Sequence, residues 1–136
     1  MRTRLVGILA LAGLGLIACG GGDGGNGNSP TPGTLTVALT AQSSAPGAVM
    51  FTVSGGGISG MTVSGGYHLY ATTLSGTSRR VLITGNVTAG SLVTIAVPDI
   101  GKAAQYSVTV NQVSARSTAA IPYQQLAVGG FAIDVQ

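Results

Sequence analysis

Few side chains in this 136-residue sequence can do chemistry, and their spacing limits what that chemistry is. His68 is the only histidine and Cys19 the only cysteine. A zinc or acid–base site needs His68 to have partners, and there is no second imidazole and no further thiol to supply them. His68 falls in a stretch of strand character, out of phase with Leu69, and is expected to be structural or solvated. Beyond residue 33 the carboxylates are Asp99 and Asp134 alone. Glycoside hydrolysis requires a carboxyl pair at a set separation, and a calcium cage requires more oxygen ligands than these two supply. Val97-Pro98-Asp99-Ile100-Gly101 is a turn sequence. Asp134 alternates with Ile133 and Val135, which turns it outward on a final strand. No metal and no cofactor is expected.

Three further patterns carry a chemical suggestion. Gly55–Gly60, GGGISG, matches G-x-G-x-x-G. Dinucleotide binding needs a helix directly after such a loop, because the helix N-terminus meets the pyrophosphate. Met61-Thr62-Val63-Ser64-Gly65-Gly66 is a poor helix former, so the expectation is a flexible loop with positive-φ glycines. Arg79-Arg80 follows the turn Leu74–Ser78 and opens a strand, with one side chain to each face. A surface edge guard is expected rather than an anion site. Among the aromatics, Tyr67, Tyr106, Phe51 and Phe131 are core by phase. Tyr70 and Tyr123 are left as candidate ligand-face aromatics, since an aromatic face stacks on a pyranose ring. No Gly-x-Ser-x-Gly, Ser-x-x-Lys or His-Glu-x-x-His occurs. The expectation is a protein without catalytic residues.

The elements that must position these residues have a period of two. Leu35, Val37 and Leu39 alternate with Thr36, Ala38 and Thr40, and Val49, Phe51 and Val53 with Met50, Thr52 and Ser54. Tyr67, Leu69 and Ala71 oppose His68, Tyr70 and Thr72. Val81-Leu82-Ile83 is a short apolar run. Val93, Ile95 and Val97 oppose Leu92, Thr94 and Ala96, while Tyr106, Val108 and Val110 alternate with Ser107 and Thr109. Phe131, Ile133 and Val135 form the last strand. Gly, Ser, Asn and Pro clusters separate these β-branched runs, the pattern of an all-β sandwich. Gly101–Gln105 is the best helical candidate and amounts to one turn at most. A small antiparallel two-sheet sandwich over residues 34–136 is expected, about the length needed to close such a core.

The sequence before it has a different character. Met1–Arg4 carries two positive charges and no acid, and Leu5–Ala18 is apolar or glycine throughout. A basic start, a short apolar run and a small residue at its end describe an export signal over 1–18. The run is shorter than the ~20 apolar residues of a membrane span. Gly20–Gly33, GGGDGGNGNSPTPG, has no apolar residue able to pack, and 19–33 is expected to be a flexible tether. The formal charge of +3 includes Arg2 and Arg4 of the signal. After it, Arg79, Arg80, Lys102 and Arg116 stand against Asp23, Asp99 and Asp134, a net charge of +1. That is not the clustered positive charge that phosphate binding requires, and no nucleic-acid partner is expected.

Leu16-Ile17-Ala18-Cys19 resembles the lipobox of bacterial lipoproteins, in which Leu and a small or aliphatic residue precede Ala, Gly or Ser and then Cys. The resemblance implies diacylglyceryl transfer to the Cys19 thiol, cleavage between Ala18 and Cys19, and attachment to a membrane through that lipid. An Asp after the cysteine favours inner-membrane retention in such proteins. Gly20 stands there instead, which implies the outer membrane. The later strands "GAVMFTVSG", "RRVLITGN", "AGSLVTIAVPD" and "YSVTVNQVSA" resemble, in order and pattern, the cohesin-like and carbohydrate-binding-module-like β-sandwiches of jelly-roll type. That likeness covers about Leu35–Ala115 and implies a non-catalytic domain that binds an envelope protein or, alternatively, a glycan.

Overall fold

The computed structural model of the protein describes residues 29–116, 118 and 124–136. Alternating apolar and small polar residues build nine strands among the described residues. They are β1 (Gly33–Gln42), β2 (Pro46–Ser54), β3 (Gly60–Val63), β4 (His68–Ser75), β5 (Ser78–Thr84), β6 (Gly90–Val97), β7 (Ser107–Ala115), β8 (Gln125–Leu126) and β9 (Phe131–Val135). They form two antiparallel sheets packed as a sandwich, in the orders β3-β6-β1-β9 and β4-β5-β2-β7-β8. The expected all-β two-sheet architecture is therefore present. The helical candidate is a 3-10 segment over Ile100–Gln105.

The core lies between the sheets and follows the period-two reading closely. Leu35, Val37 and Leu39 of β1 are buried, as are Val49, Phe51 and Val53 of β2 and Val93, Ile95 and Val97 of β6. Burying such side chains contributes ~1.5–3 kcal/mol each. Among the described residues no charged residue is buried, and Tyr106 is the one buried hydroxyl-bearing side chain. Leu92 departs from the expected phase, because it is fully buried beside Val93. The pairing of β1 with β6 shifts from Val37↔Val93 to Ala38↔Ser91 and leaves Leu92 as an extra residue. Such a bulge lets two consecutive side chains face one side. Ala71 also departs, since it is exposed although its phase is inward. It lies on β4, the end strand of the larger sheet.

Two loop expectations are corrected. The glycines of Gly55–Gly60 adopt no positive φ; among the described residues those that do are Gly65, Gly85 and Gly90. Gly55 and Gly56 are needed for close approach instead. A Cβ on Gly55 would lie 2.6 Å from Tyr106 Cδ1 and 2.9 Å from Tyr106 Cα, and one on Gly56 would lie 2.7 Å from the Tyr106 hydroxyl. The segment is a packed cover over Tyr106, with Ile58 buried beneath it. A strand, β3, follows it rather than any helix. Second, Thr31 falls within the stretch expected to be tether, yet it accepts a hydrogen bond from Ile100 N at 2.9 Å. Its own amide donates to Asp99 Oδ1 at 3.3 Å. The chain is thus docked from Thr31 and enters β1 at Gly33.

Candidate functional site

Strand pairing in the five-stranded sheet assembles one outward face from four strands. Residues directly opposed in antiparallel strands point to the same side. The register puts His68, Thr84, Ala48 and Ser114 in one row, and Tyr70, Leu82, Met50 and Gln112 in the next. A third row holds Thr72, Arg80 and Thr52. Residues of the opposite phase, among them Val49, Ile83 and Val113, are fully buried. These three rows therefore face solvent.

The centre of the face is apolar. Tyr70 is 61 % exposed, the most exposed of the large hydrophobic side chains described. With Met50, Thr72, Leu74, Arg80 and Leu82 it lines a shallow groove of about 610 Å³. A second hollow of about 210 Å³ continues along Ala48, Met50, Leu82, Gln112 and Ser114. At the far end a depression of about 420 Å³ is lined by His68, Thr84, Asn86 and Arg116. Arg116 donates from one guanidinium nitrogen to the Val87 carbonyl at 3.4 Å, and its Nε is buried without a hydrogen-bond partner among the described residues. This surface, an apolar strip bordered by Arg80, His68, Gln112 and threonines, presents apolar contact area and hydrogen-bonding groups to solvent.

The residues singled out for chemistry are dispersed. His68 is exposed at the start of β4. Asp99 caps the 3-10 segment, accepting from Gly101 N at 3.0 Å as well as from Thr31 N. Asp134 is exposed on β9, as its phase required, and accepts from the Thr40 hydroxyl at 2.7 Å. Among the described residues no three metal-ligating side chains gather, and no helix is long and apolar enough to cross a membrane. Arg79 and Arg80 do take opposite faces, but β5 runs between β4 and β2, so neither guards an edge. Arg79 is half-buried and donates to the Ile58 carbonyl at 2.7 Å, pinning the Gly55–Gly60 cover to the sheet. Arg80 is exposed on the outward face.

Tyr106 is buried, and its hydroxyl donates to the Gly57 carbonyl at 2.9 Å. Burial first, and the negative charge of Asp99 second, push its pKa above the ordinary tyrosine value. Tyr70 is in place on the candidate face. Tyr123, Cys19 and Ala18 lie outside the described residues. Sequence reasoning did not single out Leu82, Met50 or Leu74 as surface residues of a site. The outward phase of Met50 was visible, but Leu82 was hidden within the run Val81-Leu82-Ile83. No family model matches the chain, and no curated protein or solved structure is significantly similar to it.

Proposed function

We propose that this chain is a lipoprotein held to a bacterial membrane through a lipid on Cys19, where it displays a non-catalytic β-sandwich for protein interaction or envelope structure. The observation that carries the reading is Leu16-Ile17-Ala18-Cys19, placed after a basic start and an apolar run. The Gly-rich Gly20–Ser29 that follows has no apolar residue able to pack. It leads to Thr31 and β1, and β1 belongs to the four-stranded sheet. The Tyr70 face is on the other sheet. Tyr70 is exposed there, which supports this outer face as the one offered to a partner. Asp99 and Asp134 are engaged in hydrogen bonds that hold a turn and link β1 to β9, which supports a non-catalytic role.

Expressed in a bacterium, the full chain should yield a membrane-associated mature form that begins at Cys19 and carries a diacylglyceryl mass. Cys19→Ala should accumulate unprocessed precursor. An unchanged mature mass in Cys19→Ala refutes the anchor. Fractionation should place the wild type with the outer membrane, in keeping with Gly20 after the cysteine. One observation favours a second reading, carbohydrate binding: Tyr70 presents an exposed ring in the same groove as Arg80 on a solvent-facing sheet. Glycan binding that disappears in Tyr70→Ala would select this alternative.

A further inference from the structure

Four strands end a sheet in this sandwich, and three of them are short or charged. β3 has four residues and β8 two. β9 carries Asp134, held by Thr40. Short length and charge both blunt an edge against pairing with another chain. β4 has neither protection. It is eight residues long, HLYATTLS, without Pro, Gly, Asp, Glu, Lys or Arg. Among the described residues it pairs on one side only, with β5. Seven of its eight residues are exposed. Tyr70 at 61 % and Leu74 at 48 % are the two most exposed large hydrophobic side chains described, and both are on it.

We propose that the β4 edge docks a second copy of this chain, β4 against β4, antiparallel, about a twofold axis at Thr72. Two five-stranded sheets then become one of ten strands. Opposed residues must share a face, so the axis has to pass through a residue position. Centred on Thr72, the register sets Tyr70 of each copy against Leu74 of the other, and Ala71 against Thr73. Aromatic–aliphatic pairs of this kind are the stabilising cross-strand contacts. Centred on Ala71, it sets Tyr70 against Thr72 and Leu74 against His68, and both apolar matches are lost. Leu74 has no partner on β5, where the register shifts between Thr73 and Ser75. Its side chain lines the same groove as Tyr70, so it stands on the side where the second copy's Tyr70 arrives.

Charge does not oppose the pairing. The nearest cation on this face is Arg80, opposite Thr72 but one strand inward. In the dimer the two β5 strands are three strand spacings apart, ~14 Å, which exceeds the ~8 Å screening length at physiological salt. The inference rests on the sheet edge and not on Cys19, so the anchor and the dimer stand or fall separately.

The test uses the full-length chain in detergent. Opposed Cα atoms in an antiparallel pair are ~4.5–5.5 Å apart, within the span a disulfide closes. Mild oxidation of Thr72→Cys should therefore trap a covalent dimer in most chains. Wild type reports any dimer formed through Cys19, and Thr109→Cys, exposed on β7 of the same sheet, reports random collision. Thr72→Lys sets two ammonium groups against each other at the axis. It should weaken self-association in sedimentation by about tenfold or more while the circular dichroism spectrum is unchanged. A Thr72→Cys dimer yield no greater than that of Thr109→Cys overturns the proposal. So does a Thr72→Lys chain that associates as tightly as wild type.

Discussion

Tyr106 and Gly55 show how a single contact fixes the chemistry of a loop. The tyrosine ring occupies the space where a Cβ on Gly55 would stand, and its hydroxyl hydrogen goes to the Gly57 carbonyl. Tyr106→Phe keeps the ring and removes that bond, at a cost of ~1 kcal/mol. It should also change the pH dependence. The native pKa is raised, so the unfolded chain loses this proton first as the pH passes about 10. The stabilisation is complete below that pH and is lost as the pH rises through the native value. Urea midpoints between about pH 8 and 11 should fall more steeply for wild type than for Tyr106→Phe. The phase of Tyr106 against Ser107 and Thr109 identified it as core from sequence. The role of the glycines was not legible, because Gly55 and Tyr106 are distant in the chain and meet only when β2 and β7 pair.

At the scale of the element, β5 separates two arginines that look equivalent in sequence. Arg79 turns to the rim of the core and holds the Ile58 carbonyl, while Arg80 stands in solvent. Arg79→Ala should destabilise by ~1–2 kcal/mol, since a charged hydrogen bond to a half-buried carbonyl is lost. Arg80→Ala should stay within ~0.5 kcal/mol. Equilibrium urea titration of both variants checks the contrast, and equal effects would refute the pinning role. Period two correctly separated the faces of Arg79 and Arg80. It did not show that β5 is an interior strand, because edge or interior status depends on which strands lie beside it. The bulge at Leu92 was hidden for a related reason. Its burial follows from the pairing with β1, and Leu92 alone carries no sign of it.

For the whole molecule, Phe51 is the largest fully buried side chain described, on β2 at the centre of the five-stranded sheet. Phe51→Ala should cost ~3–5 kcal/mol, a large share of the ~5–15 kcal/mol that holds a typical domain folded. Thermal denaturation should show a greatly lowered Tm or no cooperative transition. Few consecutive strands are neighbours: β4 with β5 and β7 with β8, while β1 pairs with β6 and β9. This dispersion explains why the architecture was legible as a class and not as a strand order.

The sequence by itself determined the all-β class, the positions of the longer strands but not of the short β3 and β8, and the inward or outward phase of most residues. Those properties are local, since a strand buries alternate side chains wherever it ends up. The Leu16–Cys19 motif, on which the anchor proposal rests, is likewise a matter of local sequence. Only the tertiary structure decided that Tyr70, Leu82 and Met50 form one strip, that Arg79 is a pin, and that β4 is the long uncharged edge. Each of these depends on which distant strands become neighbours. That choice is made by the joint burial of both inner faces and the hydrogen bonding of every strand between them, and no single segment encodes it.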